Sequence, residues 1–188
     1  MNSSTLLNEL REITQTNIQE VNQLLELDSE QLNYKSSSDS WSILECMEHL
    51  NRYGDFYIPE ISQRIKHSKH GKSDTFQTGL LGDYFAKSML PKEKLNKMKT
   101  FKSMNPNNSQ LDASVLNTFL DQQQQLLTLL DQCENINLTK TKTAISISKL
   151  IKLRLGDTLR VVIYHNWRHV VQAKKVVKLV SVAPVEVG

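Results

Sequence analysis

The 188-residue sequence contains few of the residues that interrupt regular structure, with 6 glycines and 4 prolines. Folds made of many short strands need turn residues at frequent intervals and would require more of both. Alternation of apolar and polar residues is also scarce outside a stretch near Thr139 to Ser148. The scarcity of turn residues therefore favours an all-α protein.

Long apolar runs are missing as well. No stretch approaches the roughly 20 apolar residues that a membrane-spanning helix needs, and residues 1–10 have no basic segment leading into an apolar one. The length suits one domain, which we place at residues 1–180, followed by a loose tail at residues 181–188. We expect a cytoplasmic protein that has no membrane partner.

An excess of one charge sign is missing too, because 23 basic residues face 20 acidic ones and the net charge is +3. Domains that bind nucleic acid usually carry a clear basic surplus on one face. We therefore expect no nucleic-acid partner.

Apolar residues recur every three or four positions in four long segments, which predicts amphipathic helices. The segments run from Leu6 to about Leu27, from Ser42 to Lys66, from Leu111 to Cys133 and from Asp157 to Val180. Ser42 and Glu45 have the spacing of a capping box at the start of the second segment. Together the segments predict a four-helix bundle with long crossover connections.

The two long connections carry some structure of their own in this interpretation. Residues 67–109 exceed the usual length of a loop in a compact domain, and we expect a short helix near Gly82 to Leu90 and a cover over one end of the bundle. Between the third and fourth helices, residues 139–148 alternate like an extended segment. Lys149 to Leu153 is predicted to add a helical turn.

Histidines on two of the predicted helices are candidates for a metal site. His165 and His169 lie roughly 40° apart around the helix axis and about 6 Å apart along it. His49 lies on the edge of the apolar face of the second helix. If the two helices are neighbours, the three imidazoles form a site with one open position, as in catalytic zinc sites. A core histidine that binds a backbone carbonyl is the alternative for His49, and the residues alone leave both open.

Three further residues lie within a helical turn of these histidines. Tyr53 and Gln172 could face the open position, Tyr53 as a hydrogen-bond donor and Gln172 as a partner of a ligand, or they could form the cavity wall. Arg168 is expected to pair with a carboxylate on a facing helix, Glu45 or Glu48.

Other histidines and the two cysteines are predicted to have no such role. His67 and His70 fall in a polar segment, so we expect them to be solvated. Cys46 and Cys133 lie far apart within apolar periodic segments, which predicts buried free thiols. Cys46 as a fourth ligand is the weaker alternative to Cys46 as a small buried hydrophobe.

The segment Trp41-Ser42-Ile43-Leu44-Glu45-Cys46-Met47-Glu48-His49-Leu50 resembles the second helix of the DinB/YfiT-like family. The segment Gly156-Asp157-Thr158-Leu159-Arg160, followed by His165-Asn166-Trp167-Arg168-His169 and Gln172-Ala173, resembles the last helix of that family. The resemblance covers nearly the whole chain and implies a four-helix bundle with a divalent metal, usually zinc or nickel. It implies that His49, His165 and His169 are the ligands.

Members of this family are described as metal-dependent hydrolases or as thiol S-transferases that use low-molecular-weight thiols such as bacillithiol or mycothiol. Glu48 points about 100° away from His49 around the helix, and the absence of another well-placed acid favours thiol transfer to small electrophiles over hydrolysis. Hydrolysis, and a non-enzymatic stress-related binding module with a structural metal, are the alternatives. The expected partner is a small-molecule substrate, and apolar residues in 176–185 favour a homodimer.

Overall fold

The computed structural model describes residues 1–92 and 100–180, except for the side chain of Lys149. Its helices are α1 Ser3–Leu24, α2 Ser29–Asn33, α3 Ile43–Lys66, α4 Leu80–Met89, α5 Ser114–Cys133 and α6 Leu155–Val180, with a 3-10 turn at Lys102–Met104. Strands β1 Lys142–Ile145 and β2 Ser148–Arg154 form an antiparallel hairpin. Helices α3 and α1 each pack against α5 and α6. The predicted all-α four-helix bundle is confirmed.

Two apolar clusters fill the interior of the bundle. Cys133 belongs to one cluster and Cys46 to the other, and both thiols are buried and free. Burial away from water is also the reason why the pKa of each thiol is raised. The predicted buried free cysteines are therefore confirmed.

The start of α3 is fixed by the predicted capping box. The Glu45 amide donates to Oγ of Ser42 over 3.1 Å, and the Ser42 amide donates to Oε2 of Glu45 over 2.9 Å. The other carboxylate oxygen of Glu45 accepts from Nζ of Lys35 over 3.2 Å and from the Asn108 amide over 2.6 Å. Glu45 therefore helps to fix the residue at which α3 begins and also holds the segment near Asn108 against this helix.

Helix α4 is held against the first turn of α6 by Asp157, whose side chain is fully buried. The amide of Gly79, the residue before α4, donates to Oδ2 of Asp157 over 2.8 Å, and the Thr78 hydroxyl donates to Oδ1. A side chain at Gly82 would overlap Asp157, so glycine allows the close approach of the two helices. Arg160 adds an ion pair with Asp83 at 3.0 Å. Together these contacts fix α4 as a wall beside α6.

The helical turn predicted at Lys149 to Leu153 is wrong, because these residues lie in β2. Thr143 pairs with Leu153 and Lys142 with Arg154 in the antiparallel ladder. Pairing with β1 takes the place of the predicted helical turn, which would form few internal hydrogen bonds and has no capping box such as the one that starts α2. The extended segment predicted just before it contains β1.

The remaining boundaries differ from the predicted ones by a few residues. Helix α1 ends at Leu24 and α6 begins at Leu155, while the predicted short helix near Gly82 to Leu90 is α4. The predicted loose tail, 181–188, lies outside the described residues, as does part of the predicted dimer segment, 176–185. None of the helices in the described ranges has the length and apolar character to cross a membrane.

Candidate metal centre

The packing of α3 against α6 brings together His49, His165 and His169. One ligand nitrogen from each ring lies within 4.8 Å of those of the other two, and Nε2 of His49 is 3.2 Å from Nε2 of His165. The ring centroids are 4.6 to 5.0 Å apart. The predicted meeting of the three histidines is confirmed, and the cluster could hold a metal ion.

The spacing and protonation of the rings fit an ion. Two nitrogens bound to a tetrahedral zinc at about 2.0–2.1 Å lie roughly 3.3 Å apart, close to the 3.2 Å between His49 and His165. Burial lowers the pKa of His49 to about 4 and lowers those of His165 and His169 well below the ordinary value. Neutral imidazoles with free lone pairs are the form that binds metal.

The tautomer of His49 is fixed by the 3-10 turn. Nδ1 of His49 lies 2.7 Å from the carbonyl oxygen of Met104, which can only accept a hydrogen bond. Nδ1 must therefore carry the proton, and Nε2 keeps its lone pair toward His165. The turn is itself held, because Arg52 donates to the carbonyl oxygen of Asn105 over 3.0 Å.

His169 carries an unsatisfied nitrogen. Its Nδ1 is buried and has no hydrogen-bond partner within residues 1–92 and 100–180. Burial and the neighbouring histidines lower the His169 pKa, and Gln172, one turn further along α6, offsets part of that lowering. An unpaired polar atom is costly in a buried setting, so an orphaned nitrogen bordering two other imidazoles fits an ion-binding group.

A family model described as the DinB superfamily matches residues 12–173, which include all three histidines. The chain belongs to the DinB superfamily. No curated protein and no solved structure matches it significantly. Membership accounts for the bundle and for an association with metals, and it leaves the reaction undefined.

Two aromatic rings border the histidines of this DinB superfamily chain. The Tyr53 ring contacts His49 and His165 edge-on, with centroids 5.0 and 4.8 Å away. The Trp41 ring lies 4.7 Å from His49 and 5.7 Å from His169. Tyr53 was expected at this place from its spacing. The contact of Trp41 was not, because Trp41 precedes α3 and helical periodicity does not apply to it.

Arg168 is a buried cation next to the histidines of α6. Its charge contributes to lowering the pKa values of these histidines. Glu45 is paired with Lys35 at 3.2 Å and Glu48 with Arg52 at 2.8 Å. The pairing of Arg168 with one of these carboxylates stays a prediction.

The residues predicted to lie outside the site do so in this superfamily member. His67 and His70 are exposed, and Nδ1 of His67 lies 2.8 Å from the carbonyl oxygen of Gln63. Within the part of the chain that the structure describes, the ligand group comprises the three histidines without Cys46 or a carboxylate. Three protein ligands leave a tetrahedral ion one further position.

A cavity of about 330 Å³ opens beside His165. Helices α3, α4 and α6, the hairpin and the segment at Phe101 form its walls. The lining residues are Tyr53, Tyr57, Tyr84, Phe85, Ser88, Met89, Phe101, Ile145, Ser146, Ile147, Leu153, Val161, Val162, His165 and Asn166. The candidate metal centre therefore borders a space large enough for a small organic molecule.

Proposed function

We propose that this chain is a divalent-metal-dependent thiol S-transferase that joins a low-molecular-weight thiol to a small electrophile. The observation that supports the proposal is a cluster of three neutral imidazoles, one of which, His165, lines an apolar cavity. In the described ranges, no carboxylate belongs to that ligand group.

The donor set suits the metals that imidazole prefers, zinc and nickel among them. In this proposal His49 binds through Nε2, and His165 and His169 complete the three protein ligands. When bound, such an ion would keep its full positive charge and would lower the pKa of a thiol in its fourth position. Met104 holds the ring of His49 through its carbonyl oxygen, and we assign Gln172 to orient the ring of His169.

We propose that Tyr53 is the side chain that contacts the reacting atoms. Burial raises the pKa of Tyr53, so its hydroxyl stays protonated and can donate a hydrogen bond. Its ring is oriented by edge contacts with His49 and His165. We propose that this hydroxyl steadies the sulfur or the departing group.

The transfer is a substitution. The thiol sulfur forms a bond to the electrophilic carbon, the bond between that carbon and the leaving group breaks, and the leaving group departs with the electron pair. The proton of the thiol passes to solvent. The apolar cavity walls exclude water and so protect the sulfur nucleophile from competition.

The absence of a nearby acid favours this reaction over hydrolysis. Activated water commonly relies on a carboxylate or a histidine as a proton shuttle near the metal. Glu45 is buried one turn before His49, but its oxygens accept from Ser42, Lys35 and Asn108, and Glu48 is held by Arg52 at 2.8 Å. All three site histidines are assigned to the ion, so the described part of the site offers no such shuttle.

The test is turnover of metal-loaded protein with a thiol and 1-chloro-2,4-dinitrobenzene, followed by the absorbance of the thioether. His165→Ala should abolish the protein-dependent rate, and the matched control His70→Ala, in an exposed histidine, should retain it. Equal rates in the wild-type protein and His165→Ala would remove the transferase proposal. Thiol-independent cleavage of p-nitrophenyl acetate that is lost only in His165→Ala would favour a hydrolase instead.

A further inference from the structure

The cavity beside His165 has walls that are suited to a neutral, apolar guest. We propose that it binds the electrophile, and that the electrophile is an uncharged molecule with an aromatic or branched aliphatic body. The assignment of the guest as electrophile rests on the proposed function. The binding preference itself rests only on the walls.

The described walls of the cavity are apolar and carry no charged side chain. Eight of the fifteen lining residues are aliphatic residues, methionine or phenylalanine, and three more are tyrosines, each an aromatic ring with one hydroxyl. No lysine, arginine, aspartate or glutamate is among the described residues of the lining. Away from the candidate metal centre, a charged group would lose its hydration in this space and gain no ion pair from the described walls.

Several polar groups on the walls are already used by the protein. The Ser88 hydroxyl donates to the carbonyl oxygen of Phe85 over 2.7 Å, and the Asn166 amide donates to Oε1 of Gln123 over 3.3 Å. The backbone amide of Ser146 donates to the Tyr57 hydroxyl over 3.3 Å. With these groups engaged, a guest is held by shape and apolar contact, and polar contacts concentrate at the end near His165 and Tyr53.

Exposed apolar residues extend the cavity toward solvent. Tyr84, Phe101 and Ile147 line the cavity and are 68%, 54% and 51% exposed. They come from α4, from the segment before the 3-10 turn and from the tip of the hairpin. Large apolar side chains left in water at one opening are typical of a binding site. The concave volume and the presence of His165 in its wall favour a small molecule over a second protein surface.

Two dyes that share one ring system test the preference without turnover. N-Phenyl-1-naphthylamine is neutral, and 1-anilinonaphthalene-8-sulfonate carries a sulfonate on the same rings. Each is titrated into the full chain, with and without added metal, and fluorescence gives the Kd. We expect the neutral dye to bind at least about tenfold more tightly, because the sulfonate must be desolvated without a cationic partner.

Variants locate the binding. Phe101→Ser removes an apolar contact at the opening and Val161→Trp fills part of the space, so each should raise the Kd of the neutral dye about tenfold. Leu80→Ser and Leu150→Ser are the matched controls, because these leucines are 97% and 94% exposed and do not line the cavity. They should leave the Kd unchanged. Far-ultraviolet circular dichroism verifies that each variant is folded.

The outcomes separate this inference from the proposed function. Equal or tighter binding of the sulfonated dye would overturn the inference, and so would a loss of binding in the Leu80 and Leu150 controls equal to that in Phe101→Ser. Dye binding that occurs only as the chain dimerises, measured by light scattering, would identify the apolar surface as an interface and also overturn it. Selective binding of the neutral dye by a protein that fails the thiol assay supports the inference and removes the transferase.

Discussion

Two groups of histidines in this chain have similar spacing and different surroundings. His165 and His169 lie four residues apart on α6, and His67 and His70 lie three apart after α3. The first pair is packed against α3, where His49 completes the cluster, whereas the second pair is exposed. Spacing is therefore a weak indicator of a metal site. Burial and a third histidine from a facing helix distinguish the two groups.

The largest effect expected from this comparison is on metal affinity. His169→Ala removes one of three ligands, and even partners outside the ligand set are worth about 10–100-fold, so we expect a loss of more than about 100-fold. His67→Ala and His70→Ala should bind zinc as the wild-type protein does. Competition with a chromogenic chelator measures all four proteins. A similar loss in His70→Ala would erase the distinction between the groups.

Metal removal should have the next largest effect. Zinc at 100 times its Kd stabilises the folded state by about 2.7 kcal/mol, which corresponds to roughly 5–10 °C in Tm for a domain of this size. Differential scanning fluorimetry with and without chelator measures the shift. The shift should vanish in His169→Ala and persist in His67→Ala. A chelator-independent Tm in the wild-type protein would contradict a bound ion.

Gln172→Leu tests whether the Gln172 side chain helps to orient the His169 ring. Because Gln172 raises the His169 pKa against the larger effect of burial, the removal of its amide should weaken zinc binding by about tenfold, at the low end of effects for partners of metal ligands. Gln63→Leu is a control at the exposed group, since His67 bonds to the backbone carbonyl of Gln63, which the substitution keeps. Unchanged affinity in Gln172→Leu would mean that packing alone orients His169.

The smallest expected effect is that of a substitution at Glu60, which lies on α3 between His49 and His67. Oε1 of Glu60 accepts from the Ala144 amide over 2.7 Å and from Nε of Arg64 over 2.8 Å, so it ties the hairpin to α3. Glu60→Gln should lower the free energy of unfolding by about 1 kcal/mol and leave zinc affinity unchanged. Urea unfolding measures the first quantity and chelator competition the second.

The free energy of unfolding differs between the wild-type protein and Glu60→Gln, and the pH dependence of this difference is a further check on the role of Glu60. Burial raises the Glu60 pKa, but hydrogen bonds from Arg64 and Ala144 outweigh it, and the net pKa is lowered. A lowered folded-state pKa stabilises the fold above the ordinary carboxyl pKa, and the stabilisation is lost as pH falls through the folded-state value. The difference between wild type and Glu60→Gln should therefore shrink in acid. A difference that grows in acid would contradict the assignment.

The four long helices and the histidine cluster could be predicted because their causes are local and periodic. The capping box at Ser42 fixed the start of α3, and the apolar stripes of α3 and α6 indicated which faces turn inward. The prediction that His49 is a metal ligand, and not a core histidine bound to a backbone carbonyl, needed the family resemblance. Periodicity alone could not decide which helices are neighbours.

The partners of the histidines and most of the cavity could not be predicted in this way. Met104 contacts His49 through a backbone carbonyl, which leaves no trace in residue type. Trp41 precedes the helix whose histidine it contacts. The hairpin wall depends on pairing between β1 and β2, and the position of α4 depends on Asp157. These features arise from tertiary contacts between segments with weak local preferences.

The most direct test of the metal centre is X-ray absorption of protein purified without a metal-binding tag, before and after addition of a thiol. The account predicts one divalent ion per chain with three nitrogen neighbours at about 2.0–2.1 Å and one exchangeable light atom, replaced by sulfur at about 2.3 Å when thiol is added. A sulfur neighbour before thiol addition, a fourth protein ligand that does not exchange, or the lack of a stoichiometric ion would contradict it.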